Sequence, residues 1–396
     1  MNAQQGGLSL RRALLLALLG LCILLSCVVV RPAAKRSLIA WLRGGAALAR
    51  HAQQPRRRRR RAAAAATAAA ADAQPRALGS SRHALEDVPA PPPDGLPIPN
   101  VVHMIFGLAP DFGHMKFGLT HYLAVLGARL HIAPALLKWH YRYLPDGVWW
   151  ECARPALTLH KVEDVTHVHG KPKAMRVQHK ADVLRMQLLL EEGGMYIDSD
   201  VIPVRSFQDL RKYPLVMGQE EAAGQSGLAN AVILAAPNTT FMRRWWGEYA
   251  SFEPDKQWAY HSVILPRALH GQHPGEVTAL SGSAFFRPCW TDLTAMYDAD
   301  DGYSYRDNYA VHLWTSADAN KQELLRRLSV GDIFRGRGSF QRRARQLLVE
   351  AAAQGQLCGY AAAQVAYYAA AGGGAEGVLR DWPGAGGNSS SSSGGG

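Results

Sequence analysis

No acidic residue occurs before Asp72. Residues 1–71 hold thirteen of the chain's 44 Lys and Arg side chains, so the formal net charge of +12 is concentrated there. The remainder carries 31 basic against 32 acidic side chains and is close to neutral. A nucleic-acid-binding core is thereby disfavoured, leaving at most a basic face on a neutral domain. Cysteine is scarce as well. Cys22 and Cys27 lie in an apolar run, and Cys152, Cys289 and Cys358 remain. Those three permit at most one disulfide, among three possible pairings, and free core thiols fit equally well. Neither a G-x-S-x-G elbow nor a phosphate-binding G-x-x-x-x-G-K-[ST] loop occurs. His160, His167, His169 and His179 lack partners at the spacing of a tetrahedral zinc site, and read as scattered loop and strand histidines.

The acid-free extension is legible. Residues 1–12 form a short tail ending in Arg11 and Arg12, and residues 13–30, "ALLLALLGLCILLSCVVV", are eighteen uncharged, mostly apolar positions. At about 1.5 Å per residue that run roughly spans a bilayer's hydrocarbon core. Without a clear small-residue cleavage site after it, the run reads as an uncleaved transmembrane signal-anchor. Arg31, Lys35, Arg36 and Arg43 outnumber the two arginines before the span, a bias that on its own keeps the following chain cytosolic. An acid-free, Ala- and Arg-rich leader also has the composition of an organelle transit peptide. Residues 31–96 read as a low-complexity stalk with a proline-rich exit, and residues 336–396 as a low-complexity, disordered tail ending "GGNSSSSSGGG". Asn238 in "NTT" and Asn388 in "NSS" are glycosylation acceptors for a luminal domain.

Residues 97–335 are long enough for a sizeable core. "IPNVVHMIFG" gives a first strand and "THYLAVLGARLHI" a helix interrupted at Pro134. "LKWHYRY" and "ALTLHKV" follow as strands. A helix from His179 to Glu192 is closed by Gly193-Gly194, and "MYIDSDVIPV" follows as one strand. Strands alternating with helices of this length predict an α/β fold with a mostly parallel sheet, whose ligands gather at the carboxyl ends of its strands.

At such an end stand Asp198 and Asp200. In extended backbone, i and i+2 share a side, and two like charges there are tolerable when a hard cation compensates them. That predicts Mn²⁺ or Mg²⁺, with substrate phosphates completing the coordination, and hence a ligand carrying a diphosphate. Taken alone, an Asp-x-Asp is more often a solvated loop. Asp182 and Arg185 lie three apart on one helix face; they read either as a surface ion pair or as contacts to sugar hydroxyls, with Arg185 also facing a phosphate.

The string "HKADVLRMQLLLEEGGMYIDSDVIPVRSFQDL" resembles the DXD region of glycosyltransferase family 32, Golgi-type type II membrane enzymes that include α-1,6-mannosyltransferases and relatives of α-1,4-galactosyltransferases. "IPNVVHMIFGL", "LPDGVWWECARPALTLHKVE", "GLANAVILAAPNTTFMRRWWGEYASF", "WAYHSVILP" and "YAVHLWTS" resemble further blocks of that family in order, over roughly residues 97–317. The resemblance implies a GT-A fold and a retaining, metal-dependent hexosyltransferase. Its donor would be a UDP- or GDP-sugar and its acceptor a glycan or glycolipid, with the catalytic domain in the Golgi lumen. By matching position Asp198, Asp200 and His312 take the metal, while Asp182, Arg185 and Trp314 take the donor. His103, in the first strand, reads equally as a neighbour of the base or as a core histidine, and Asn230, or a carboxylate of Gln219-Glu220-Glu221, reads equally as facing the transferred sugar or as capping a turn. Retention by same-face attack and by a covalent intermediate both stay open. Thr315 and Ser316 stand where members of the family often carry an acid. Tyr260, His261 and one tryptophan each of Trp149-Trp150 and Trp245-Trp246 are further, weaker candidates for sugar or base contact. The competing class is a membrane-anchored, non-catalytic sugar-binding or scaffold protein of the same fold; a two-metal phosphohydrolase would need more clustered ligands.

Overall fold

The run that opens the domain, Val101–Ile105 (β1), is buried at every position in the computed structural model. A strand buried on both faces belongs in the interior of a sheet covered on both sides, and β1 is such an inner strand. The structure describes residues 94–112, 115–222, 225–253, 259–298 and 302–371. The chain divides into two units, residues 1–81 and 82–396, and all described residues fall in the second. The apolar run at 13–30, the stalk up to residue 93 and residues 372–396 lie outside the described residues; among those described, no helix is long and apolar enough to cross a membrane.

After β1 come α1 (Leu119–Gly127), β2 (Leu136–Tyr141), α2 (Val148–Ala153) and β3 (Thr158–Lys161). A small hairpin of β4 (His167–Val168) and β5 (Lys171–Pro172) leads into α3 (Val177–Glu191), β6 (Gly194–Ile197) and β7 (Val201–Pro203). The chain continues through β8 (Leu215–Ala222), β9 (Gln225–Ala235), α4 (Thr240–Glu248), α5 (Leu265–Gln272) and β10 (Thr278–Leu280). It closes with α6 (Leu293–Tyr297), β11 (Ala310–His312), α7 (Ala319–Arg326), α8 (Val330–Arg335), α9 (Ser339–Ala353) and α10 (Gly359–Ala370).

Seven strands form one sheet in the order β10-β8-β9-β6-β1-β2-β3. Pairings β1–β2, β2–β3, β1–β6 and β8–β10 are parallel, and only β9 runs against its neighbours β6 and β8. The expected mixed α/β fold with a mostly parallel sheet is therefore present. Period-two alternation sorts side chains to two cores. Met195, Ile197, Val232 and Leu234 face one, against α1 and the C-terminal helices. Tyr196, Ile233, Leu215 and Met217 face the other, against α3, α4 and α5.

Two readings of the chain change. "MYIDSDVIPV" is not one strand: β6 ends at Ile197, the Val201 amide donates to the Asp198 carbonyl at 3.0 Å, and β7 leaves the main sheet to pair antiparallel with β11. The two aspartates therefore sit in a turn. The second change concerns residues 336–371, read as disordered tail. They fold as α9 and α10, with Phe340, Leu347, Leu348 and Val365 in the first core, each burial contributing about 1.5–3 kcal/mol. Their Ala-rich composition looks low in complexity, but alanine is the best helix former, and apolar residues recur at helical spacing. A Cys152–Cys358 disulfide ties α10 to α2, and Cys289 is a buried free thiol.

Candidate active site

The parallel direction of β1 and β6 brings their carboxyl ends to one edge of the sheet, and antiparallel pairing of Ile197 with Val232 brings Asn230 there from β9. A cavity of about 560 Å³ opens along this edge. Behind it stands α3. The helix stops because Gly193 and Gly194, at φ of +65° and +102°, take left-handed conformations, and a Cβ on Gly194 would meet the Val101 carbonyl oxygen at 2.8 Å. That tight return delivers β6, and with it the aspartates, next to Asp182 and Arg185.

Arg185 is the hub. Its side chain is only 5% exposed, and its guanidinium lies 4.3 Å from the Tyr196 ring centroid. It donates to the Asn230 carbonyl at 2.8 Å and to the Ala181 carbonyl at 3.3 Å, and pairs with Asp182 at 3.2 Å and Asp198 at 3.3 Å. Burial alone would lower its pKa; Asp198, Tyr196 and Asp182 outweigh burial and hold it firmly charged. The Asn230 amide donates to Asp182 at 2.8 Å, so Asp182, Arg185 and Asn230 form one network. The Tyr196 hydroxyl donates to Asp198 at 2.5 Å.

Asp198, Asp200 and His312 present one ligand atom each, all within 4.8 Å of one another. His312 reaches the site because β11 pairs with β7, setting His312 opposite Val201. Its Nε2 lies 3.4 Å from Asp200 Oδ1. Thr315 donates to Asp200 Oδ2 from its amide at 3.1 Å and its hydroxyl at 2.8 Å. Burial would raise the Asp200 carboxyl, but His312 and Thr315 prevail and hold it well below the usual carboxylate range. Burial pushes Asp198 up, only partly offset by Arg185, with Asp200 adding to the rise. Burial would depress His312, and its two carboxylate neighbours raise it instead. Two carboxylates and an imidazole this close form a donor set that suits a divalent cation, which would offset the like charges of the two aspartates.

Trp314 lines the cavity from behind: its ring centroid lies 3.9 Å from that of His312, and its indole N–H donates to the Pro288 carbonyl at 3.0 Å. Of the two readings of His103, the structure has the core histidine and not the neighbour of the base. It is fully buried, Nδ1 lies 3.0 Å from His140 Nε2 and Nε2 lies 3.0 Å from the Gly193 carbonyl, so it packs beneath the end of α3 and does not line the cavity. Val102 and Met104 face one core and Ile105 the other, and an all-buried strand gives no sequence clue to which face His103 takes. Trp150 and Trp245 are core residues. Of the Gln219-Glu220-Glu221 segment, Glu220 lines the cavity, whereas Glu221 lies 3.8 Å from Arg287 at the surface. Sequence alone assigns no contact to Thr315, Tyr196 or Trp290: Thr315 and Trp290 act on residues distant in sequence, and Tyr196 reads as one more apolar position of a buried strand.

Against known proteins, a glycosyltransferase sugar-binding region containing the DXD motif matches residues 155–217, a span that includes α3 and the aspartate turn. Glucan organizing enzyme 1 of Cryptococcus neoformans var. grubii is 34% identical over 271 residues, covering 65% of this chain and 73% of that protein. Among solved structures, the PaToxG glycosyltransferase aligns at a TM-score of 0.31 and 16% identity, over 45% of this chain and 71% of its own. The galactosyltransferase LgtC, solved with donor and acceptor sugar analogues, aligns at a TM-score of 0.32 and 13% identity, over 54% of this chain and 86% of its own. Such distant overlays leave the fold resting on its own strand order, but a relative aligned through most of its length is decisive. The chain belongs to the glycosyltransferases that carry a DXD-containing sugar-binding region.

Proposed function

We propose that this protein is a retaining, metal-dependent glycosyltransferase that moves a hexosyl group from a UDP- or GDP-sugar to a glycan or glycolipid acceptor. One observation carries the reading: Asp198, Asp200 and His312 converge within 4.8 Å at the sheet edge where Asp182, Arg185 and Asn230 are cross-linked into one network. Mn²⁺ or Mg²⁺ held by Asp198, Asp200 and His312 would supply charge neutralisation for a departing diphosphate. The other roles belong to the chain. Thr315 fixes the Asp200 carboxylate so that it does not reorganise as charge develops. Arg185 positions Asp198 and Asp182 together, and Asp182, held by Asn230, offers a carboxylate to hydroxyls of the donor sugar. The apolar wall of Ile105, Phe106, Leu108, Phe112 and Met115 on the β1 side suits a planar base. Retention follows the family resemblance, and the name of the Cryptococcus relative favours a glucan-related acceptor or product.

The same reading places the protein in the Golgi membrane, as a single-pass type II protein anchored through residues 13–30 with this domain in the lumen. The Cys152–Cys358 disulfide supports an oxidising compartment, and Asn238 is exposed. A mass shift on endoglycosidase treatment, lost in Asn238→Gln, is expected; an unglycosylated Asn238 counts against the luminal placement. For the activity, purified protein should release nucleotide from one member of a panel of UDP- and GDP-sugars with Mn²⁺, and stop with EDTA. Absence of turnover across the panel, with and without glycan acceptors, would favour the non-catalytic scaffold instead.

A further inference from the structure

The sheet order sets the cavity's two ends apart. β1 lies on one side of β6 and β9-β8 on the other, so the metal-ligand turn after β6 stands between them. The β1 end is apolar, as described. The opposite end is built from the outer half of β8 and β9, the turn at Tyr260–Ile264 and the loop carrying Trp290. Here Glu220 pairs in register with Gly227, and a Cβ on Gly227 would meet Val263 Cγ1 at 2.1 Å. The missing side chain lets the turn close against the hairpin and bring Ser262 to the cavity beside Ser226.

On this shelf Trp290 is 39% exposed, an uncommon state for an indole lining a cavity, and its Nε1–H donates to Glu220 Oε1 at 3.1 Å. The hydrogen bond anchors one edge of the ring, and the partly exposed side chain lines the cavity. Glu220 and His312 line the same cavity, so the carboxylate and the indole it holds stand in the cleft of the metal-ligand cluster. A pyranose presents a face of weakly positive C–H groups, complementary to the negative face of an indole, and a rim of hydroxyls that a carboxylate orients. The nucleotide's base has better partners at the apolar end, and its phosphates at the metal-ligand turn between the two ends.

We propose that Trp290 and Glu220 form the acceptor subsite, with the acceptor pyranose on the Trp290 face and one of its hydroxyls donating to Glu220 Oε2. Glu220 is thus the positioning residue that turns the acceptor hydroxyl towards the metal-ligand turn. The inference rests on the glycosyltransferase reading, and its test separates the two. Full-length protein in detergent is examined by saturation-transfer NMR with methyl glycosides of glucose, galactose and mannose, each with and without Mn²⁺ and UDP or GDP. Nucleotide binding is followed in parallel by calorimetry. At least one glycoside should take up saturation from the wild-type protein. Trp290→Ala should weaken that binding on the order of tenfold while nucleotide binding persists, and Trp290→Phe, which keeps an aromatic face and loses the N–H, should fall between. Trp290 is a surface side chain, and unchanged thermal unfolding confirms that its variants fold. Equal glycoside binding by wild type and Trp290→Ala, or no glycoside binding by the wild type, overturns the subsite. Failure of Mn²⁺ and nucleotide to bind would instead sink the donor reading, and the nucleotide-free glycoside arm would still decide the subsite.

Discussion

Thr315 donates twice to one oxygen of Asp200, from its amide at 3.1 Å and from its hydroxyl at 2.8 Å. The amide bond survives any substitution short of proline, and the hydroxyl bond can be removed alone. Thr315→Val keeps the branched shape and deletes the donor. Outer partners of metal-ligating carboxylates commonly change affinity by about 10–100-fold, so Mn²⁺ affinity is expected to fall about tenfold with little change in unfolding temperature. A manganese titration followed by electron paramagnetic resonance measures this; unaltered affinity would show that the amide alone orients Asp200.

Asp200→Ala is expected to abolish turnover and leave the fold standing. The carboxylate faces the cavity, and its partners His312 and Thr315 can both turn to water there. Its loss leaves His312 and Thr315 without that partner, so a drop of about 1–3 kcal/mol is expected, which a domain with this core withstands. Turnover above a few per cent of wild type, measured as nucleotide release, would remove Asp200 from the metal site.

How much of this was legible follows from sequence distance. The α3–Gly-Gly–β6–Asp198 segment is contiguous, and its helix period, stop signal and apolar run could each be read locally. His312 and Trp314 came only through the ordered family blocks, since nothing in "YAVHLWTS" announces that β11 folds back beside β7. Glu220 was noticed as a carboxylate near the motif, but its partner Trp290 lies 70 residues on, and no periodicity relates the two. His103 stays ambiguous in sequence for the opposite reason: β1 is buried throughout, so alternation carries no information about which of its faces meets the ligand. In the C-terminal helices, repeated alanine hides the structure, because an Ala-rich helix has the composition of a low-complexity tail.

Arg185 should behave unlike Asp200. Arg185→Met strands Asp182 and Asp198, both of which lose their charged partner in a site mostly shielded from water. Breaking a buried ion network from one side typically costs about 3–5 kcal/mol, and a loss of that size in chemical denaturation is expected, together with loss of activity. Arg185→Lys restores the charge but not the fork that reaches Asp182, Asp198 and the Asn230 carbonyl together, so it should recover stability in part and activity hardly at all. A near-neutral Arg185→Met would contradict the hub.

The Cys152–Cys358 bridge closes a loop with a sequence separation of 206. Crosslinks over long loops typically stabilise by about 2–4 kcal/mol. Reduction, or Cys358→Ser, is expected to lower the unfolding midpoint and to open α10 to chymotrypsin at Tyr360, Tyr367 and Tyr368 before the rest of the domain. A non-reducing peptide map should recover the Cys152–Cys358 pair with Cys289 free.

Acid should destabilise this domain well above the carboxylate range, and the cause is histidine. Burial depresses His103, His121 and His131 to about 4 each, from an ordinary value of 6.5. A histidine depressed in the folded state binds fewer protons there than in the unfolded chain. The stability it contributes is complete above pH 6.5 and is lost as pH falls towards about 4, at up to about 1.4 kcal/mol per pH unit for each group. His312, raised by Asp200, has its window above 6.5 and does not offset this loss. Asp198 and Glu220, both raised, oppose part of it below their folded values, while Asp200 titrates lower still. The urea midpoint should therefore drop steeply between pH 6.5 and 4.5. His103→Gln, which removes one of the three titrations, should flatten that slope by about a third; an unchanged slope would show that these imidazoles are not held neutral in the folded protein.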